Sequence, residues 1–369
     1  MQDSVYFIGN DVQQRVLRMP DAIAALERVY GEWDAGRAMI RPKTNMYVYN
    51  PDDDNRYGFS TMEGGGQDLG LVAIRIKSDV QPNHRQTAQA GVSTPTSAFK
   101  GAGGDGLFCG LVYLFSTRTG TPLAILNDGH IQHVRVAASA ALAAKYLAKE
   151  DAQELCILGS QWMARSHAPA MCAVRPIKRI KVYSPNPANR DAFAADMSAQ
   201  LGIEVIALDS ADDAVSGTDI VCCCTNSFSH PVISGEAIED GTFISNVLPM
   251  ELGDDALARV DYTVKNQPLR ALEHHVFSAG APPADVTVRS EGAGWLRTVD
   301  DGTPLLSEVV AGKQRGRADR REVTFFSNNE GTGLQFAAVG KVILDSLEER
   351  GDVGVKTMPL EWFLQDMPD

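Results

Sequence analysis

Short apolar runs alternate with helical sequence through the middle of the chain. The apolar runs, which read as strands, cover residues 154–158, 180–183, 203–208, 219–224 and 242–247. Helical stretches are predicted between them at residues 187–201, 211–215 and 235–238. In the first of these, Phe193, Met197 and Leu201 lie on one side at helical spacing. Strands that alternate with helices at this spacing predict a parallel sheet joined by right-handed crossovers.

The sequence on either side of this alternation follows a different pattern. Helices are predicted there over residues 21–32, 131–149 and 333–347, and strands over residues 45–49, 71–76, 107–115 and 323–326. We predict an α/β protein in which a Rossmann dinucleotide-binding domain, residues 149–322, is inserted into an α+β domain for substrate binding and dimerisation, made of residues 1–148 and 323–369. The segment 81–106 is too long for a hairpin turn, and the sequence leaves open whether it forms a lid.

Composition narrows the class of protein. The chain of 369 residues has a net charge of −13 and a pI near 5.0, without a basic cluster, so we do not expect nucleic acid as a partner. The N-terminus lacks a signal pattern and no apolar stretch is long enough to span a membrane, so we expect a cytoplasmic protein without a membrane partner.

Cys222, Cys223 and Cys224 are consecutive in a predicted strand, whose side chains alternate between faces. That geometry does not suit zinc, and we expect buried, reduced thiols and no metal.

The segment Glu154–Arg165, ELCILGSQWMAR, carries the main chemical signal. A strand ends at Gly159 and runs into a helix whose N-terminal amides can face a pyrophosphate. Gly159 is the first glycine of the Gly-x-Gly-x-x-Gly/Ala fingerprint, Gln161 replaces the second, and Ala164 fills the third position. Together with the alternating strands, this turn predicts an NAD(P) site. The residues expected to bind the cofactor are Gly159, Ser160, Gln161, Trp162, Met163, Ala164, Ser184, Asn186, Arg190, Thr225 and Asn226.

The end of the second strand of this domain bears on the choice of cofactor. An NAD-selective site usually has an acidic residue there, which accepts a hydrogen bond from the ribose 2′-hydroxyl. This chain has Ser184 and Asn186 instead, with Arg190 one turn into the next helix. Because no carboxylate there repels a 2′-phosphate, we expect NADP to be favoured over NAD. The alternative, that Arg190 is only a solvated helix residue, stays open.

The chain resembles the ornithine cyclodeaminase/μ-crystallin family over nearly its whole length. The matching segments are RPKT at 41–44, AIRIK at 73–77, TGTPLAILNDGHIQHVRVAA at 119–138, the turn at 157–165, DIVCCCTNS at 219–227 and GRADRREVTFFSNNEGTGLQFAAVG at 316–340. This combination is specific. The family includes ornithine and lysine cyclodeaminases, an alanine dehydrogenase, imino-acid reductases and a thyroid-hormone-binding crystallin. The resemblance implies a homodimer in which the N- and C-terminal segments build the substrate domain.

The resemblance also implies a substrate site. The family arginine that holds a substrate carboxylate falls on Lys43, with Arg41 as an alternative source of the bidentate fork. Lys77 matches the lysine near the reacting carbon and is a catalytic candidate, as the proton donor or as an electrostatic stabiliser. Arg135 matches the arginine that helps to clamp the carboxylate, and Gly331 matches the glycine whose backbone approaches the substrate. Lys77 lies within an apolar strand pattern, where a charge needs a partner.

One departure from the family pattern affects the chemistry. In the cyclodeaminases an aspartate follows the fifth strand and handles the amine or a water, and here Met250 falls on that position. Glu251 and Glu330 are the alternative carboxylates, and Glu330 is the second catalytic candidate. Asp128 precedes the clamp arginine, and in its simplest structural interpretation it only caps the helix that carries this arginine.

These assignments predict an NAD(P)-dependent oxidoreductase that acts on the Cα of a small amino or imino acid. A planar C=N carbon beside a carboxylate needs a cationic clamp, a proton donor near the nitrogen and a nicotinamide over one face. We predict reduction of an α-imino acid, or reductive amination of a 2-oxo acid. Two alternatives stay open: a cyclodeaminase of ornithine or a related diamino acid that releases ammonia with catalytic NAD⁺, and a non-catalytic NADPH-binding protein of the μ-crystallin kind.

Overall fold

The structure, a computed structural model, describes residues 3–49, 55–82, 100–101, 104–105, 109–227, 230–268, 275–279, 299–329, 331–351 and 354–366. Two sheets organise this part of the chain. Strands β1 to β17 are Ser4–Ile8, Ala38–Tyr49, Asn55–Gly66, Leu71–Pro82, Lys100–Gly101, Gly104–Asp105, Cys109–Ser116, Pro122–Asn127, Glu154–Leu158, Arg179–Tyr183, Glu204–Ala207, Ile220–Cys223, Phe243–Asn246, Tyr262–Lys265, His275–Ala279, Thr324–Ser327 and Lys356–Pro359. Helices α1 to α9 are Asn10–Val16, Met19–Asp34, Asp128–Leu147, Trp162–Val174, Pro187–Leu201, Ala211–Val215, Asp254–Leu257, Leu306–Val310 and Gly333–Arg350. Most of the predicted loop at 81–106 lies outside these residues.

The seven-stranded sheet has the order β11-β10-β9-β12-β13-β16-β14, and all of its strand pairs are parallel. The strand order reverses beside β9, as it does in a Rossmann domain. Every residue of β12 and β13 is buried, which a parallel sheet covered on both faces requires. This sheet confirms the predicted fold class.

Local signals fix helix α5 at the bounds that the sequence predicts. The side chain of Asn186 accepts a hydrogen bond from the amide of Asn189, and Pro187 follows this cap. Gly202 ends the helix with a φ of +69°, a left-handed conformation that glycine adopts at little cost. Caps of this kind are readable in a sequence, and the predicted helix is correct for that reason.

The ten-stranded sheet has the main order β15-β2-β3-β4-β7-β8-β1-β17, and the short strands β5 and β6 extend from β4. Strands β2, β3, β4, β7 and β8 form an antiparallel meander. Strands β2 and β4 continue well beyond the predicted runs at 45–49 and 71–76. The apolar pattern underestimates them because the residues that it misses include charged side chains, among them Lys43, Lys77 and Asp79.

Helix α3 lies between the two sheets. It packs against α2 and α9 on the side of the ten-stranded sheet, and against α4, β13 and β16 on the other side. Ala137, Ala138, Ala140 and Ala141 are fully buried in these contacts. Small side chains let the neighbouring elements approach closely, so α3 connects the two halves of the molecule as a packed core element.

The two faces of the ten-stranded sheet differ. Helices α2 and α9 cover the inner face, where the backbone of Leu334 lies directly against Gly64. The outer face exposes four large apolar side chains, those of Met39, Met46, Val48 and Val72. An exposed group of apolar side chains on one face of a sheet is typical of an interaction surface.

The course of the chain differs from the predicted boundary at residue 322. The sequence pattern assigns β16 to the part that returns to the substrate domain, but β16 pairs with β13 and β14 in the seven-stranded sheet. All four of its residues are buried, as in the interior of a parallel sheet. The chain therefore leaves this sheet between Ser327 and Gly333. Strand β15, inside the predicted insert, pairs with β2 in the other sheet.

Two further observations concern membrane spans and cysteines. Within the described ranges, no helix has the length and apolar character needed to cross a membrane. All six cysteines are free thiols, and the three consecutive ones, Cys222, Cys223 and Cys224, are buried, as predicted. Burial raises the pKa of each of these three thiols, so they behave as small apolar groups.

Candidate active site

Lys77 projects from β4 onto the inner face of the ten-stranded sheet. It lies opposite Ser60 on β3 and Gly110 on β7. Its Nζ is 2.5 Å from Oδ2 of Asp79, a carboxylate whose side chain is only 3% exposed, whereas that of Lys77 is 27% exposed. Asp79 thus supplies the partner that a charge inside a sheet needs, and it orients the ammonium group.

Asp128, in the first turn of α3, fills the space above Gly110. A Cβ on Gly110 would lie 2.7 Å from both Cβ and Oδ2 of Asp128. Oδ2 accepts hydrogen bonds from Nε of Arg75 at 2.8 Å and from Nη2 at 2.6 Å. Burial raises the pKa of Asp128, and the charges of Arg75, Arg135 and Lys77 oppose that shift. One buried carboxylate therefore lies among three cations.

Helix α3 is capped by Asn127 and not by Asp128. The side chain of Asn127 accepts a hydrogen bond from the amide of Gly129 at 2.8 Å. The interpretation that Asp128 only caps this helix is therefore wrong. Its Oδ1 is buried and makes no hydrogen bond to any residue in the described ranges.

Arg135 is buried in α3, and two glutamines orient its guanidinium. Oε1 of Gln132 accepts from Nε at 3.3 Å and from Nη2 at 2.8 Å, and Oε1 of Gln335 accepts from Nη1 at 3.0 Å. The guanidinium carbon lies 5.0 Å from the ring centroid of Phe336. A Cβ on Gly331 would overlap Nη1. The structure thus brings Arg135 and Gly331 together, and the amide groups of the two glutamines orient the guanidinium.

Arg41 is not brought to this cluster. Its Nε and Nη2 form a bidentate pair with Glu63, at 3.0 and 2.7 Å, and its side chain is 66% exposed. Glu63 lies on the face of the sheet opposite to Lys77, because side chains alternate along β3. The register of β2 shifts just after Arg41, and Lys43 follows two residues before Asn45, which shares the face of Lys77. Of the two predicted clamp residues on β2, the structure leaves Lys43 as the candidate.

Glu251 is committed to a structural role. Its Oε1 accepts from the amide and Oγ1 of Thr225, at 2.8 and 2.6 Å, and its Oε2 accepts from the amides of Val247 and Leu248, each at 2.8 Å. Four hydrogen bonds therefore hold this fully buried side chain beneath the loops that follow β12 and β13. Glu330, the other predicted substitute for the missing aspartate, lies outside the described residues.

The turn after β9 has the shape of a phosphate cradle. Gly159 has a φ of +112°, and a Cβ there would overlap the carbonyl oxygen of Cys224, so only glycine fits. Helix α4 begins at Trp162, and the exposed Gln161 before it makes no side-chain cap. The first amides of α4 can therefore bind an anion. Ala164 is fully buried, as its close-packing position predicts. These residues fit a dinucleotide.

The ribose end of the cradle is at the carboxyl end of β10. Oγ of Ser160 donates to Oγ of the buried Ser184 at 3.1 Å, and Asn186 caps the next helix. Arg190 donates from Nη1 to the carbonyl oxygen of Ser184 at 3.2 Å and forms an ion pair with Asp209. The Arg190 side chain is 11% exposed and that of Asp209 is 93% exposed. The interpretation of Arg190 as a solvated residue is therefore wrong, and Asp209 is a neighbour that the sequence did not indicate.

The remaining cofactor candidates surround the same turn. Met163 is half-buried in the first turn of α4. Thr225, just after β12, is fixed by Glu251, and Asn226 beside it is exposed. Strands β9 and β12 are neighbours, so these residues lie at the point where the strand order reverses, the usual place of a dinucleotide.

An aromatic contact joins the turn after β9 to the helix that carries Arg135. The ring of Trp162 stacks on that of His133, with centroids 6.2 Å apart and planes 11° from parallel. His133 is two residues before Arg135 on α3, so the start of α4 lies beside the turn that carries the clamp. Burial and nearby positive charge lower the pKa of His133 to about 4, and its imidazole is therefore neutral near pH 7.

The fold and the site define a dinucleotide-binding α/β protein with a second, cation-lined sheet. A Δ1-pyrroline-2-carboxylate reductase of Bacillus cereus is 27% identical over 349 residues, which cover 93% of this chain and 97% of that protein. An uncharacterized cyclodeaminase of Sinorhizobium fredii is 30% identical over 251 residues, which cover 65% of this chain and 71% of that protein. The solved structure of Thermococcus litoralis Δ1-pyrroline-2-carboxylate reductase in complex with NADH and L-proline matches with a TM-score of 0.72 at 23% identity, and the match covers 94% of this chain and 98% of that one.

A match to a family model shows the family to which this chain belongs. The sequence profile of the ornithine cyclodeaminase/mu-crystallin family matches residues 102–351. The chain belongs to this family, which confirms the resemblance inferred from its motifs. Because a reductase and a cyclodeaminase both occur among the relatives, the residues of the site have to distinguish the two reactions.

Proposed function

We propose that this protein is an NAD(P)H-dependent reductase of a small cyclic α-imino acid of the Δ1-pyrroline-2-carboxylate type. The stack of Trp162 on His133 carries the proposal, because it brings the phosphate cradle beside the arginine clamp. A reductase needs both parts in one cleft: cations that fix a carboxylate, and a nicotinamide over the adjacent C=N carbon. The reductase names of relatives that align over nearly their whole length support the same reaction.

The chain's own cations bind and orient the substrate in this proposal. Arg135, already oriented by two glutamines, and Lys43 hold the carboxylate through charge-assisted hydrogen bonds. The lack of a side chain at Gly331 lets the backbone approach the bound substrate. Lys77, fixed by Asp79, places positive charge near the reacting carbon. Glu330 remains the second catalytic candidate. The bound cofactor supplies the hydride.

The surroundings of Met250 favour reduction over ammonia release. A thioether does not accept a proton, so Met250 gives no general-base help to an attacking amine or water. Its neighbour Glu251 is held by four hydrogen bonds from loop groups and is not free to replace an aspartate. Hydride transfer to an imine does not need that base.

We infer that the cofactor preferred at this site is NADPH. Ser184 and Asn186 stand at the end of β10, so no carboxylate at these positions repels a 2′-phosphate. Arg190 is nearly buried beside them, and its guanidinium reaches the carbonyl oxygen of Ser184. A 2′-phosphate that takes the place of Asp209 at this guanidinium would gain a bidentate contact.

We infer that the protein is a homodimer, and that the outer face of the ten-stranded sheet forms the contact between its subunits. Met39, Met46 and Val48 of β2 and Val72 of β4 expose apolar surface there. Residues 1–148 and the C-terminal helix would then build both the substrate site and the dimer contact. The free state of all six cysteines supports the predicted location in the cytoplasm.

Turnover with purified protein tests the proposed function. NADPH is mixed with Δ1-pyrroline-2-carboxylate, loss of the reduced nicotinamide is followed by absorbance, and L-proline is measured by chiral chromatography. We expect stoichiometric formation of L-proline, and a large loss of rate in Lys77→Met with NADPH binding retained. Tight NADPH binding without turnover on any cyclic or acyclic imino acid would contradict the proposal and favour a binding protein of the μ-crystallin kind.

A further inference from the structure

The carboxylate of Asp128 has one oxygen that its surroundings leave without a donor. Oδ2 takes both hydrogen bonds from Arg75, whereas the buried Oδ1 makes none within the described part of the chain. A buried carboxylate oxygen without a donor is costly, and such an atom at a site calls for a functional explanation. An N–H group of a bound substrate would satisfy it.

We propose that Asp128 is the acid–base residue of the reaction: it protonates the imine nitrogen during reduction and accepts that proton during the reverse oxidation. The inference deepens the proposed function and rests on it. It assigns the proton-transfer role to a residue in the first turn of α3.

The position of Asp128 beside Lys77 follows from the register of the sheet. Lys77 and Gly110 are directly opposed on antiparallel strands, so a side chain at residue 110 would stand beside that of Lys77 on the same face. Asp128 occupies that place, because a Cβ on Gly110 would lie 2.7 Å from its Cβ and Oδ2. The glycine at 110 therefore makes room for the carboxylate next to the predicted catalytic lysine.

The charges around Asp128 suit a group that gains and loses a proton. Arg75 and Lys77 face it from β4, and Arg135 faces it from its own helix. Burial raises the pKa of Asp128, while these three cations stabilise its ionised form. General acid–base catalysis needs a group whose surroundings favour neither form alone, and here burial favours the protonated form and the cations favour the ionised one.

The proposed step balances in atoms and electrons. When the imine carbon accepts the hydride that the bound dinucleotide supplies, a C–H bond forms and the C=N π bond opens. The electron pair of that bond goes to nitrogen, which takes the proton from the Asp128 carboxyl group and becomes a secondary amine. Asp128 is left as a carboxylate paired with Arg75 and regains a proton from solvent. One imine, one reduced dinucleotide and one proton give one amine and one oxidised dinucleotide.

An equilibrium measurement tests the proposal without turnover. L-proline is titrated into protein saturated with NADPH, where no reaction occurs because both ligands are reduced. Calorimetry in two buffers of different ionisation enthalpy gives the number of protons released. The ammonium group of proline favours the ionised form of Asp128, so the wild type should release protons as the pH approaches the pKa of Asp128 from above, and Asp128→Asn should release none.

Kinetics give a second readout with a defined sign. Reduction requires protonated Asp128, so kcat/KM for the imine falls as pH rises through its pKa, whereas oxidation of L-proline rises through the same pKa. Asp128→Asn should lose about 10²-fold or more in kcat and should lose both of these pH limbs. Asn127→Ala, which weakens the cap of the same helix but keeps the carboxylate, should retain both limbs and the proton release.

Each outcome decides the question. Wild-type pH limbs or wild-type proton release in folded Asp128→Asn would overturn the proposal. If that variant does not fold, the paired change Arg75→Met with Asp128→Asn removes both buried charges, and wild-type kcat in that protein would also overturn it. Failure of the wild type itself to reduce any imine would instead overturn the proposed function.

Discussion

Gly331 lies so close to Arg135 that any side chain at residue 331 would overlap Nη1 of the guanidinium. The glycine therefore leaves room for the guanidinium of Arg135, the predicted carboxylate clamp. We predict that Gly331→Ala lowers kcat/KM by about 10²-fold, because the guanidinium must turn away from the substrate carboxylate. Steady-state kinetics with Δ1-pyrroline-2-carboxylate measure the effect.

Gly31 provides the matched control for this substitution. It lies inside helix α2, and a Cβ there would meet no atom within 4 Å. Gly31→Ala should leave kcat/KM unchanged and stabilise the protein by about 0.5 to 1 kcal/mol, since alanine is the better helix former. A Gly331→Ala variant as active as Gly31→Ala would show that the guanidinium of Arg135 does not bind the substrate.

The charge of Arg135 itself is the subject of a separate prediction. Arg135→Met keeps a long apolar side chain over Phe336 but removes the charge-assisted contact with a carboxylate. We expect kcat/KM to fall by about 10²-fold or more, equivalent to roughly 3 kcal/mol. A melting temperature close to that of the wild type would exclude unfolding as the cause. Wild-type turnover by folded Arg135→Met would mean that the substrate binds elsewhere.

The sequence predicted the dinucleotide half of the molecule better than the substrate half. In the seven-stranded sheet the central strands β9 and β12 are nearly continuous apolar runs, and caps such as Asn186 and Gly202 mark the helix ends. In the ten-stranded sheet, Arg75 and Lys77 alternate with apolar residues of β4, and charges in a strand read as surface positions unless their partners are known. Those partners come from remote parts of the chain, as Asp128 does for Arg75.

The contact of Asp128 with Arg75 could not be predicted from the sequence, because Asp128 follows a second capping residue type. Asn127 and Asp128 are both residue types that cap helices, and the sequence does not say which of the two makes the cap. Only the structure shows that Asn127 does, which leaves the carboxylate of Asp128 turned toward Arg75. In the same way, the sequence cannot reveal that Arg41 forms an ion pair with Glu63, because that pairing depends on the register of strands β2 and β3.

Cofactor choice is predicted to depend on Arg190. We expect NADPH to bind at least as tightly as NADH, and Arg190→Ala to weaken NADPH binding while leaving NADH binding nearly unchanged, as for loss of a phosphate contact. Asp209→Asn is the matched change, because it frees the guanidinium from its carboxylate partner and should strengthen NADPH binding. Fluorescence titration of the reduced nicotinamide gives both affinities. A wild-type preference of tenfold or more for NADH would contradict the prediction.

The buried side chain of His167 predicts that the free energy of unfolding falls in mild acid. His167 lies inside α4, where burial lowers its pKa from 6.5 to about 4 although Nδ1 contacts the carbonyl oxygen of Met163. The neutral His167 side chain contributes fully to the free energy of unfolding at a pH above the pKa that it has in the unfolded chain. This contribution is lost as the pH falls from there toward 4, because only the unfolded chain takes up the proton. The loss amounts to about 3 kcal/mol. Thermal unfolding between about pH 7 and pH 5 should show a steep decline in the wild type and a shallower one in His167→Gln. Equal slopes would contradict the assignment.

The last prediction concerns Met250, which the resemblance to the family aligns with an aspartate of the cyclodeaminases. Without general-base help, attack of an amine or water on the oxidised substrate should be slower by about 10²–10⁴-fold. We therefore expect NADPH oxidation with imino acids to be far faster than formation of proline and ammonia from L-ornithine and NAD⁺. Met250→Asp should raise ammonia release and Met250→Asn, its uncharged counterpart, should not. Proline formation by the wild type at a rate on the order of 1 s⁻¹, an ordinary kcat, would show that another carboxylate does this work and would restore the cyclodeaminase assignment.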